Sequence, residues 1–151
     1  MTYNNQTILS SEFEKIVLKF GKIIIKNRKK ILNQFDLSFT QFEILTAIFD
    51  SSNKGEDLIQ IRLSDITLID AMTVSTVLRC LQKKGLVKRE RDEINTRILK
   101  ITLSEQGELI YNQIICELEK VRINFHKGFD KILLLKLRLK LEQSLSKYYF
   151  I

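Results

Sequence analysis

Proline and tryptophan are both absent from this sequence, and only five of its 151 residues are glycine. Without proline, nothing in the chain forbids a helix on backbone grounds. Without a Pro-, Gly- or Ser-rich stretch, no linker divides it into two domains. Long apolar runs are missing too. The longest, Ile23–Ile25 and Ile132–Leu135, fall far short of the roughly 20 residues a membrane helix needs. The opening MTYNNQTILSSEFEK has neither the basic start nor the apolar stretch of a secretory signal. Two cysteines, Cys80 and Cys116, are too few for a disulfide framework or a zinc site. A reducing cytoplasm is therefore the expected location. The single histidine, His126, and the absence of HExxH, GxSxG, P-loop and dinucleotide-binding glycine patterns argue against an enzyme. No metal and no cofactor are expected.

What remains is a helix-favouring chain of ordinary apolar content that is strongly basic. The net charge of +7 and pI near 9.4 suit an anionic partner: nucleic acid, a membrane surface or an acidic protein. A basic surface with no such partner is the plain alternative.

Residues 1–9 read as a loose polar lead. Ser10 or Ser11 is the expected cap of a first helix reaching about Gln34, with Phe13, Ile16, Val17, Phe20, Ile24 and Ile31 at helical spacing. Its seven cations, from Lys15 to Lys30, read as a solvated face before a DNA contact. Ser38 or Thr40 caps a second helix with Phe42, Ile44, Leu45, Ile48 and Phe49 inward, ended by a turn over 50–55. A third helix, about 58–67, turns Ile59, Leu63 and Ile66 inward. Leu68-Ile69-Asp70 then makes a tight turn with Asp70 as the next cap, which is helix-turn-helix spacing.

Residues 71–103 are the most informative stretch. Val74, Val77, Leu78 and Leu81 form one apolar face of a fourth helix, and Thr73, Ser75, Thr76, Arg79 and Lys83 point elsewhere. Lys83, Lys84 and Gly85 are stop signals. The period then changes to two. One strand begins at Leu86, a second runs through Ile98, Leu99, Ile101 and Leu103, and a charged tip over 91–97 joins them. A helix, a glycine and a basic-tipped hairpin make the layout of a winged helix. This stretch holds eight cations against three acids, an excess of five in a chain whose total is +7. Such concentration is the electrostatic footprint of duplex binding.

Ser104 caps a long helix, about 105–125, with Leu109, Ile110, Ile114, Leu118 and Val121 on one side. His126-Lys127-Gly128 interrupts it. The last segment, Asp130 to about Tyr149, alternates like a strand over 135–141. Its length without Gly or Pro decides for helix. Apolar surface on the first and last two helices exceeds what a small wing domain can bury, so it calls for a partner.

Thr73-Val74-Ser75, the LQKKGLV of 81–87, Asn95-Thr96-Arg97 and Leu103-Ser104-Glu105-Gln106-Gly107 occur in this order and spacing. Together they resemble the DNA-binding core of the MarR family of bacterial transcription regulators. Three positions depart from the family's pattern. Asn95 stands where the wing has Asp, Leu68 where the turn has glycine, and Thr76 where arginine is common. The resemblance implies a mainly α fold with a small β-wing. In it, a winged helix-turn-helix domain (about 39–103) is flanked by N- and C-terminal dimerisation helices (about 11–34 and 105–151). It implies a homodimer that binds double-stranded DNA at a pseudo-palindromic operator, with half-sites about one helical turn or roughly 10 bp apart. Release by a small-molecule effector completes the expectation.

Roles for single residues follow. Thr73, Ser75 and Thr76 open the recognition helix and could meet phosphates or base edges. Arg79 and Lys83 share a face and suit phosphate. Lys88, Arg89 and Arg91 extend the basic surface into the wing. Arg97 matches the family's wing arginine, which reaches into the minor groove. Asn95 could orient it only through a neutral hydrogen bond, weaker than the family's ion pair. Cys80, among lysines and arginines, is the one candidate redox thiol. Peroxide-sensing relatives carry their cysteine near the N-terminus, where this chain has none, so an inert thiol is preferred; Cys116 reads as core. Phe20, Phe35, Phe42 and Tyr111 could line an effector pocket or be plain core. Three other functions stay open. An architectural DNA binder would show salt-dependent binding with a small specificity ratio. A protein-interaction module would bind no duplex even at low salt. A membrane-surface protein would hold vesicles through its basic first helix.

Overall fold

In the computed structural model the backbone is described for residues 5–95, 98–125 and 130–148, and the side chains for 10–95, 98–122 and 130–147. With no proline to stop it, the N-terminal stretch is helical from its first described residue, through Gly21: α1 is Asn5–Leu32. Ser10 and Ser11 therefore lie inside the helix rather than capping it, and residues 5–9 are not a loose lead. A 3₁₀ turn, Asn33–Phe35, follows. Asp36 closes it in the left-handed region (φ 52°), and the Leu37 N–H donates to Leu32 O at 3.1 Å.

Helix α2 is Phe39–Asn53. Ser38 is its cap, through a reciprocal box in which Ser38 Oγ accepts from the Gln41 N–H (3.1 Å) and Gln41 Oε1 accepts from the Ser38 N–H (2.9 Å). The expected turn at Asp50 comes later. Residues 50–53 remain helical, and the reversal falls at Lys54-Gly55, where Gly55 takes φ 69°. Helix α3 is Gln60–Thr67, helix α4 is Ala71–Lys83, strand β1 is Val87–Arg91 and strand β2 is Leu99–Leu103. The strands pair antiparallel with Val87 opposite Leu103 and Arg91 opposite Leu99. Residues 58–59 lie along the outer side of β2, with Ile101 N–H donating to Leu58 O at 2.9 Å. Helix α5 is Glu105–Phe125 and helix α6 is Lys131–Tyr148, so the alternating stretch is helical. The expected break at His126-Lys127-Gly128 lies outside the described residues.

The chain divides into two compact units, Met1–Glu117 and Leu118–Ile151, with the boundary inside α5. The core of the first unit gathers Leu32, Ile44, Leu45, Ile48, Leu63, Val74, Leu78, Leu81, Ile101 and Ile114, all essentially fully buried. Tyr111 joins them, its ring 5.7 Å from Phe42 and 4.4 Å from Phe49. Several expected core residues face out instead. Ile66, Leu109 and Val121 are exposed, because Leu63 on α3 and the Tyr111–Ile114–Leu118 row on α5 occupy the inward positions. Most of the apolar stripe of α1 (Phe13, Ile16, Val17, Phe20) is open to solvent, as are Leu137, Leu141 and Leu145 of α6. The architecture is a mainly α winged helix-turn-helix fold with a two-stranded wing.

Candidate nucleic-acid interface

The helix that would read DNA is fixed at both ends. At its start Asp70 Oδ1 accepts from the Thr73 N–H (2.9 Å), and the Thr73 hydroxyl donates to Asp70 Oδ2 (2.6 Å). These bonds, the hydroxyl's foremost, hold the Asp70 carboxyl below its usual pKa. At its end Gly85 (φ 73°) lets the Leu86 N–H return to Leu81 O and the Gly85 N–H to Gln82 O, both at 3.0 Å. That double return satisfies the last carbonyls and packs buried Leu86 by buried Leu81. Lys84 then ties this corner to the α1–α2 connection by an ion pair to Asp36 Oδ2 (2.8 Å) and a bond to Asp36 O, which lowers the Asp36 pKa. The turn before α4 is made without glycine: Leu68 itself adopts φ 57°.

The seating of Val74, Leu78 and Leu81 in the core decides what α4 presents. Thr76, Arg79 and Lys83 lie on the opposite side of the cylinder and are exposed. Thr73 and Ser75 flank that stripe and are half-buried. Thr73's hydroxyl proton is held by Asp70, so toward a ligand it offers only an acceptor and its methyl. Arg79 lies back along its own helix, donating to Ser75 O (3.4 Å) and approaching the Thr76 hydroxyl (3.5 Å).

Alternation sorts the wing cations. Val87, Arg89 and Arg91 share a face with Leu99, Ile101 and Leu103, while Lys88 lies on the other face with Thr102. Arg89 is half-buried and donates to Gln82 Oε1 at 2.8 Å, joining the wing to α4. Lys88, Arg91 and Asn95 are exposed. Thr96 and Arg97, the latter matched to the family's wing arginine, lie outside the described residues.

Sequence reasoning missed the residues that hold the wing. Asp92 Oδ1 accepts from the Ile94 and Asn95 N–H groups, both at 2.9 Å, and its Oδ2 meets Lys100 Nζ at 2.9 Å. These contacts, Lys100's first, lower its pKa to about 2. Lys100 also pairs with Asp57 (2.7 Å), and the two carboxylates raise its own pKa. The Asp92-x-Ile-Asn pattern of a side-chain-capped turn was readable in the sequence; the pairing with distant Asp57 was not. The wing's root is a second joint. Ser104 Oγ donates to Gly85 O (2.5 Å) and accepts from the Gly107 N–H (2.9 Å), while the Ser104 N–H donates to Leu86 O (3.0 Å).

Cys80 is half-buried and its sulfur accepts from Gln41 Nε2 at 3.1 Å. Cys116, expected in the core, is exposed, since Ile114 and Leu118 take the inward positions around it. The four aromatics that could line an effector pocket or be plain core fall in different surroundings. Phe42 and Tyr111 stack inside the core, Phe35 lines a shallow depression with Leu109 and Cys116, and Phe20 is exposed. Among the described residues, no group of side chains could hold a metal ion. No described helix is long and apolar enough to cross a membrane.

The profile of the family described as Transcriptional regulator SarA/Rot matches residues 26–114, the stretch that contains both joints and the whole of α2 to β2. The chain belongs to that family. The HTH-type transcriptional regulator SarZ of Staphylococcus aureus is 32% identical over 108 residues, covering 72% of this chain and 70% of SarZ. Among solved structures, a MarR family protein from Bacillus stearothermophilus has a TM-score of 0.77 at 23% identity, covering 96% of this chain and 99% of that one. A mutant MarR from E. coli, complexed with operator DNA, has a TM-score of 0.76 at 17% identity, covering 89% and 94%. At such identities these two show the fold. As a SarA/Rot member the chain is a transcriptional regulator, not an enzyme, and its fold is MarR-like.

Proposed function

We propose that this SarA/Rot regulator acts in the cytoplasm as a homodimer that binds a pseudo-palindromic duplex in a sequence-specific way. One observation carries the reading. Helix α4 buries one stripe completely and presents the opposite stripe, Thr76, Arg79 and Lys83, beside a basic wing. In this reading α4 enters the major groove, with Thr73, Ser75 and Thr76 nearest base edges and Arg79 and Lys83 on phosphates. Lys88, Arg91, Asn95 and Arg97 carry the contact along the wing, and Arg97 enters the minor groove. Arg89, already bonded to Gln82, serves the same surface by coupling wing to helix. The solvent-open apolar residues of α1 and α6 support dimerisation, because apolar helical surface of this extent calls for cover. A small-molecule effector would act by binding one of two dimer states better and so shifting the population between them.

The test is fluorescence anisotropy with the duplex upstream of the protein's own gene and a scrambled duplex, at several salt concentrations. Preference for the former by about a thousandfold is the expected result. Arg97→Ala should weaken that binding and leave the sedimentation of the dimer unchanged. Operator binding equal to wild type would remove the wing from the interface.

A further inference from the structure

We infer that Asp57, Lys100 and Asp92 form a bracket that sets the posture of the wing tip, and that Lys100 is a positioning residue, not a phosphate contact. The inference rests on the DNA-binding reading above. Lys100 is on β2, yet its ammonium lies between two carboxylates: Asp57, in the connection from α2 to α3, at 2.7 Å, and Asp92, at the base of the tip, at 2.9 Å. The Asp92 side chain is 17% exposed and that of Lys100 35%, so both are largely withdrawn from solvent. Asp92's other oxygen holds the Ile94 and Asn95 N–H groups. Its own N–H closes the hairpin on Ile98 O at 3.0 Å. A continuous line of charge-assisted bonds thus runs from the helix-turn-helix body through β2 to the turn that leads into Thr96 and Arg97.

Chemistry favours bracket over contact. An ammonium facing two carboxylates has its donors directed at them and would have to leave both to reach a phosphate. A hairpin tip loses conformational freedom on binding unless it is already held, and holding it beforehand lowers that cost. Releasing the bracket lowers the fraction of molecules with a competent tip, and the apparent dissociation constant rises by that factor.

Asp57→Asn separates this idea from simple electrostatics. Removing an acid near the duplex should tighten DNA binding if only net charge matters. The bracket predicts the opposite for the operator: about fivefold weaker binding, from a competent fraction of roughly one in five. Binding to a scrambled duplex should stay level or tighten. Lys100→Met should match the operator loss, and Lys100→Arg, which keeps a donor for both acids, should restore it. A second measurement uses the free protein. Amide exchange at Ile94 and Asn95 should speed up in Asp57→Asn and Lys100→Met and return to wild type in Lys100→Arg. Operator binding by Asp57→Asn at or above the wild-type level would overturn the inference, as would unchanged exchange at those amides. If the wild type binds neither duplex while exchange responds as described, the DNA reading fails and the bracket's assigned purpose falls with it; the bracket itself stands.

Discussion

Alanine at Gly107 would strike the joint between the wing and α5. A Cβ there would sit 3.0 Å from the Leu86 carbonyl carbon and 3.3 Å from its Cα, with the carbonyl oxygen nearer still. The obstacle is backbone and cannot rotate aside. It is held by the Leu86 N–H on Leu81 O and by the Ser104 N–H on Leu86 O, each at 3.0 Å. Either α5 lifts, breaking the Ser104 bonds to Gly85 and Gly107, or the Leu86 peptide turns and undoes the end of α4. Overpacking of this kind costs ~1–3 kcal/mol. Two lost hydrogen bonds in a part-buried site add ~1 kcal/mol each, and alanine's better helix propensity returns ~1 kcal/mol. The expected net loss is about 3 kcal/mol, which for a chain of this size lowers Tm by about 6–12 °C. Circular dichroism melts should be compared at one fixed protein concentration, because self-association makes Tm concentration-dependent. A Gly107→Ala protein within about 0.5 kcal/mol of wild type, the range of neutral surface changes, would refute the idea that the close approach holds the joint.

Two more predictions follow from backbone and charge. Leu68 sits at φ 57° with 74% of its surface exposed, so Leu68→Gly should relieve left-handed strain at little packing cost. Glycine's unfolded-state entropy offsets part of the gain, leaving stabilisation of about 0.5 kcal/mol by urea denaturation; a loss of stability would mean the Leu68 side chain packs usefully. Asp92 titrates near 2 in the folded chain against an ordinary 3.8, held down first by Lys100 and then by the Asn95 and Ile94 N–H groups. Its contribution is complete above about pH 4 and fades as pH falls toward 2. Carboxyl NMR should give this value for Asp92 in wild type and a higher one in Lys100→Met, still below 3.8 because the Asn95 and Ile94 N–H groups also lower it; an unshifted Asp92 in wild type would contradict the ion pair.

Much of the helical layout was legible because the relevant signals are local. Ser38, Asp70 and Gly85 do at the ends of α2 and α4 what their side chains, or the lack of one, predict. Val74, Leu78 and Leu81 are buried at helical spacing as read. Local signals also misled. Ser10 and Ser11 look like caps, but a cap works only if the chain before it leaves the helix, and nothing in residues 5–9 makes it leave. Leu109, Ile66 and Val121 fit an apolar period and still face out, because a period leaves the direction of the inward face open by a residue or so. What the sequence hid is long-range. The Lys84–Asp36 and Lys100–Asp57 pairs join segments far apart in the chain, and the Gln41–Cys80 bond links two helices.

That hidden layer changes the meaning of the charge pattern. Eight cations in residues 71–103 look like one basic surface. The fold gives Lys84, Arg89 and Lys100 internal work. Lys84 holds the α1–α2 corner, Arg89 bridges to Gln82, and Lys100 brackets the wing. Arg79 and Lys83 lie on the outward stripe of α4, and Lys88 points to the other side of the hairpin from Arg89. An electrostatic reading that counts residues therefore overstates the charge a duplex could meet and blurs where it lies. Cations that position the wing and cations that face outward are complementary. Arg89 and Lys100 remove freedom from the wing before any partner arrives, so the outward cations can act from fixed places. Substituting Lys100 or an outward cation would weaken binding, but only for Lys100 should neutralising its acid partner Asp57 do so as well.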